Sequence, residues 1–200
     1  MINLIYKPFA YLNIKLSDGS SQKKQLDLLL PLAISIFMAL LLGFLQFIDS
    51  EINIFSSKIN ILPPIISFFQ SMPGFYIAAL AAIATFPSES MNKEMKTPTP
   101  YLLIDSEVED VPSNRDRLSR RRFLCYMFAY LAFISILFFF IAIGLNFINS
   151  IYIFNIPNYL LDIGYMISCL IIFFVVTQTV LITFLGLWYL GHRIHFNDNE

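Results

Sequence analysis

Four long apolar runs fix most of what this chain can become. Residues 28–48, 61–86, 123–148 and about 161–190 are apolar almost throughout, and each reaches the ~20 residues that an α-helix needs to cross ~30 Å of hydrocarbon. With 57% apolar residues in a chain of 200, there is more apolar surface than a soluble core of this size can hide. The spacing predicts an all-α polytopic membrane protein, with four transmembrane helices arranged as two hairpins and small cytosolic β elements. The expected divisions are an N-terminal arm (1–25), hairpin 1 (26–87), a central loop (88–122), hairpin 2 (123–191) and a tail (192–200). No cleavable leader is expected, because residues 1–21 hold only short apolar pieces broken by Lys7, Pro8, Asn13 and Lys15.

Charge orients the bundle. Lys58 is the only basic residue in an outer loop, and every other Lys and Arg lies in the arm, the central loop or the tail. Lys and Arg resist translocation, so both termini and the central loop are expected in the cytosol of what reads as a bacterial inner membrane. The net charge of −1 leaves no broad nucleic-acid footprint. Cys125 and Cys169 should lie at different depths, too far apart for a disulfide.

Within the spans, small residues mark packing faces. Gly74, Ala78 and Ala82 recur every four residues on the second span, and Gly164, Ser168, Thr179, Thr183 and Gly186 fall near one face of the fourth. Such faces allow close helix approach and oligomer formation in lipid. Pro73 removes a donor from mid-helix, so a kink and a free carbonyl at Phe69 are expected. Residues 43–55 also resemble 144–154, once two one-residue gaps are allowed. Either the hairpins are parallel repeats about an axis along the membrane normal, or two low-complexity apolar stretches have converged. Residues 52–55 and 151–154 read as an outer β-ribbon. In the arm and loop, residues 11–16 and 101–104 read as strands that pair, with a turn at Ser17-Asp18-Gly19-Ser20.

Chemistry is sparse. Ion coupling needs ionisable groups inside the membrane, and this reading places none within the four spans. Gln70, Gln178, Thr179 and Thr183 are candidate pore-lining groups, with Pro73 as a hinge, although polar groups like these more often bond across helix interfaces. His192 and His195 lack further ligands and read as interfacial anchors. No cofactor, metal or catalytic residue is expected, and the chain reads as not an enzyme. The central loop carries Asp105, Glu107, Glu109 and Asp110, then Arg115, Arg117, Arg120, Arg121 and Arg122. These nine residues are the candidate dock for a cytosolic protein, through complementary charge.

The most distinctive patch is Ser119-Arg120-Arg121-Arg122-Phe123-Leu124-Cys125-Tyr126. Its first six residues look like a twin-arginine export signal, but only one more span and a short tail follow them. A topology anchor that also meets anionic lipid is the better reading. With about two hundred residues, four spans, cytosolic termini and one cytosolic loop, the layout is similar to the small membrane component of the Kiwa anti-phage defence system. That resemblance implies a membrane sensor that forms a homo-oligomer and recruits a cytosolic DNA-binding effector. The residues themselves support a sensor or scaffold subunit that self-associates in the bilayer and docks a protein partner. An oligomeric pore or channel-forming effector is the alternative.

Overall fold

The computed structural model describes residues 6–48, 61–85, 87, 89–95, 98–104, 114–150 and 158–193. It contains four helices long and apolar enough to cross a membrane: α1 (Gln22–Ile48), α2 (Leu62–Thr85), α3 (Arg120–Ser150) and α4 (Asn158–Trp188). α1 opens with a π-helical stretch, Gln25–Leu29, and α4 runs on into a π-helical turn, Tyr189–Arg193. Neither the outer ribbon at 52–55 and 151–154 nor the acidic block of the central loop falls among the described residues.

The close helix pairs are α2 with α3 and α1 with α4, and α3 and α4 meet less extensively. The expected hairpin partners α1 and α2 are not a close pair. Side-chain volume accounts for this. α2 buries Leu62, Phe69, Tyr76 and Ile83, one residue in every seven. α3 answers at the same spacing with Leu124, Leu131 and Phe138, and with Phe128, Ser135 and Ala142. Seven-residue repeats keep one seam facing its neighbour as two helices wrap. Phe69 meets Phe138 with ring centroids 4.6 Å apart, and Tyr76 meets Phe128 at 6.2 Å, so the two helices run antiparallel.

α1 packs differently. It buries Pro31, Ser35 and Ala39, and Gly43 continues the same four-residue spacing. A Cβ on Gly43 would lie 2.7 Å from Met166 Sδ of α4. This is the small-residue seam that holds two helices close within the chain. On α4, Gly186 plays a like part, since a Cβ there would lie 2.6 Å from Met127 Cε of α3. The expected seams fare unevenly. Gly74, Ala78 and Ala82 are all exposed, on the side of α2 away from its heptad stripe. Gly164 is exposed too, Ser168 and Thr183 are half-buried, and Thr179 is buried. α2 continues unbroken through Pro73.

At the end where α1 and α3 begin, a three-stranded antiparallel sheet forms from β1 (Lys15–Leu16), β2 (Pro100–Ile104) and β3 (Asn114–Arg117), in that order. Lys15 pairs with Tyr101 and Leu16 with Pro100, which is the arm-to-loop pairing expected. Tyr11, expected to begin that strand, instead ends a 3-10 turn, Lys7–Tyr11. The 17–20 turn forms with Gly19 at φ 66°, a conformation that glycine adopts without strain. β3 was not foreseen, because its four residues are all polar. It pairs along β2 from Tyr101–Arg117 to Ile104–Asn114.

Two apolar clusters make the core. One lies under the sheet, around Tyr11, Tyr76, Leu118, Phe128 and Ile182; the other, around Phe69, Phe138, Tyr165 and Cys169, lies toward the opposite end. Cys125 packs on the first and Cys169 belongs to the second.

Candidate functional site

Beneath the sheet, the feet of α1, α3 and α4 enclose a polar network. It begins with a proline. Pro31 has no N–H, so the carbonyl of Asp27, four residues earlier, loses its α-helical donor. The Nε2 of Gln178 on α4 donates to that carbonyl at 2.8 Å. The Tyr130 hydroxyl of α3 in turn donates to Gln178 Oε1 at 2.8 Å. Gln178, weighed from sequence as a pore or hinge residue, is therefore a tie between three helices.

The Asp27 side chain is equally committed. It is 1% exposed, accepts from Lys23 Nζ at 2.6 Å, and accepts from the Tyr11 hydroxyl at 3.2 Å. The Lys23 ammonium sits 4.2 Å from the centroid of the Tyr11 ring, and that ring stacks on Tyr130 at 5.5 Å. Burial, and then the charge of Asp27, push the Tyr11 hydroxyl well above its ordinary pKa, so it stays a neutral donor. Sequence reasoning passed over Asp27, Tyr11 and Tyr130. The available signals were the four-residue spacing of Lys23 and Asp27, and a proline four residues after the acid.

A second, smaller tie joins α2 to α4. Thr183 Oγ1 donates to its own helix at Thr179 O, 2.6 Å away. With that proton spent, the contact between Tyr76 and Thr183 at 2.6 Å has Tyr76 as donor. Gln70, by contrast, is exposed on the same side of α2 as Gly74, Ala78 and Ala82.

The arginine block is largely occupied by the fold. Ser119 caps α3, with its Oγ 3.4 Å from the Arg122 backbone nitrogen. Arg120 is only 4% exposed. Arg121 Nη1 donates to the Ala84 carbonyl at 3.0 Å, placing a cation on the C-terminal end of α2. Arg122 grips Asp116 with two bonds, at 3.0 and 2.6 Å, and this pairing holds the Asp116 carboxyl below its ordinary pKa. Arg115 lies over the Tyr101 ring at 5.2 Å, and Arg117 reaches Glu94 at 3.4 Å with both side chains well exposed. Of the nine expected docking residues, the structure brings the five arginines together around the sheet and the start of α3. Asp105, Glu107, Glu109 and Asp110 lie outside the described residues, in the segment joining β2 to β3. No group of three His, Cys, Asp or Glu side chains is placed to hold a metal among the described residues.

No family model, curated protein or solved structure matches this chain.

Proposed function

We propose that this chain is a non-enzymatic sensor or scaffold subunit of a bacterial inner membrane. It self-associates through the outward face of α2 and recruits a cytosolic protein at the sheet end. The observation that carries this reading is a mismatch on α2. Of the four helices it is the least apolar, yet it buries the smallest share of itself within the chain. Exposed faces of α1, α3 and α4 carry large apolar groups such as Phe37, Phe140 and Phe184, while α2 exposes only Phe75 and Ile77 of that kind. The rest of its outward side is Gln70, Gly74, Ala78, Ala82 and similar small groups. A face like that gains more from a second helix than from lipid tails, through close backbone approach and a partner for the Gln70 amide.

Docking would use the acidic segment between β2 and β3, together with Arg115 and Arg117, which stay exposed and are held only by a ring contact and a long ion pair. If the resemblance to the Kiwa membrane component extends to partners, the recruited protein is a DNA-binding effector. The test is a mild-detergent pull-down from the native host. Changing Asp105, Glu107, Glu109 and Asp110 together to Lys should abolish co-purification of the companion and leave membrane insertion intact. Unchanged co-purification removes the docking claim.

The exposed position of Gln70 also favours a second reading, a pore formed between copies. That reading requires Gln70→Leu to change conductance in a reconstituted bilayer, and purified protein that passes no current under any trigger rules it out.

A further inference from the structure

A cleft of about 900 Å³ lies between the sheet, the arm and the start of α1. Its lining is two-sided. Lys15, Lys23 and Lys24 contribute cations, and Leu12, Leu16 and Leu28 contribute an apolar wall. Two carboxylates also line it, Asp27 and Asp116, and both are already paired, with Lys23 and with Arg122. Lys15 and Lys24 have no ion-pair partner among the described residues, so the cleft carries surplus positive charge. Ser20 adds a hydroxyl oxygen that is shielded from solvent and has no hydrogen-bond partner there. Leu28 both lines the cleft and stands exposed on α1, beside exposed Leu29 and Leu30. The charged pocket is thus continuous with the apolar flank of the helix.

From this geometry we infer that the cleft binds the phosphate headgroup of an anionic glycerophospholipid, with the acyl chains running down the flank of α1. Lys15 and Lys24 neutralise the phosphate, the Ser20 hydroxyl donates to one of its oxygens, and the leucines receive the first methylenes of the chains. The site differs from the arginine block, whose cations are largely engaged by the fold. It rests on the reading of α1 as a membrane span with its Gln22 end at the cytosolic leaflet.

The experiment uses the full chain, purified in mild detergent, stripped of lipid, and offered phosphatidylglycerol or phosphatidylcholine, with retained lipid counted by native mass spectrometry. Wild type should retain phosphatidylglycerol in preference. Replacing both lysines (Lys15→Gln with Lys24→Gln) should weaken that retention about thirtyfold, taking each surface cation at its usual contribution. Lys93→Gln, at an exposed lysine outside the cleft, should change nothing. Wild-type retention of phosphatidylcholine by the double variant shows that it is folded. Equal retention of phosphatidylglycerol by the double variant and the wild type overturns the proposal. Displacement of the lipid by millimolar inorganic phosphate reassigns the site to a free anion and overturns it as well. A wild type that stays soluble without detergent and retains neither lipid removes the membrane reading itself, a different result from charge-indifferent retention.

Discussion

At the residue scale, the chain repairs its own defects. Pro31 leaves the Asp27 carbonyl without its helical donor, and Gln178 supplies one from another helix. Removing the amide with Gln178→Ala leaves that carbonyl and the Tyr130 hydroxyl unpaired, at about 1–3 kcal/mol for each buried group. Pro31→Ala restores a backbone N–H at the right place. In the Gln178→Ala background it should recover part of the loss, so a double-mutant cycle read by thermal unfolding in detergent should show a coupling of about 1 kcal/mol. Simple additivity would mean that the proline is not what makes Gln178 necessary. Lys23→Met is expected to cost about 3–5 kcal/mol, because it leaves the Asp27 carboxylate buried without its cation. Of this network, sequence showed only the Lys23–Asp27 and Asp27–Pro31 spacings. That Gln178 answers them from 151 residues away is a fact of packing, and no local pattern encodes it.

At the element scale, glycines that look alike have opposite surroundings. Gly186→Leu drives a side chain into Met127 and Phe128, and should destabilise the fold by the about 1–3 kcal/mol typical of overpacking. Gly74 is exposed, and a Cβ there meets nothing within 4 Å, so Gly74→Leu turns its side chain outward. It should leave thermal stability unchanged while breaking the oligomer, as read by sizing of the detergent-purified protein. An intact oligomer in that variant would remove the outward face of α2 from the proposed interface. The clasp between Asp116 and Arg122 has its own signature in pH. Because the folded carboxyl lies below its ordinary value of 3.8, its contribution is present above that ordinary value and is lost as pH falls through the lowered one. The stability difference between wild type and Arg122→Gln should therefore be flat between about pH 5 and 8 and shrink only in stronger acid. A difference that varied across neutral pH would mean that another group sets the clasp.

At the scale of the molecule, the helices pair as α1 with α4 and α2 with α3. Exchanging α1 with α3 and α2 with α4 interchanges these two pairs, as the repeat in the sequence would have it. The α3–α4 contact has no close α1–α2 counterpart, and a Cβ at Gly43 would strike Met166 where one at Gly144 would find nothing within 4 Å. Cysteines at Gly43 and Met166, in a background lacking Cys125 and Cys169, should be crosslinked by a short bifunctional thiol reagent, since Met166 Sδ comes within 2.7 Å of a Cβ at position 43. Failure to crosslink would sink this pairing. By itself the sequence determined the number of long apolar helices, the polar segments between them, and the pairing of the arm with the central loop. It also determined the helix limits to within about three residues, except at the start of α1, which begins six residues earlier than expected, at Gln22. Those features follow from hydropathy and local turn chemistry, which act over neighbouring residues. Only the tertiary structure decided which helices touch, which small-residue face is filled, and which polar groups find partners. In a bundle apolar on nearly every side, hydropathy cannot distinguish a face that packs within the chain from one that stays outward, and side-chain volume makes that choice.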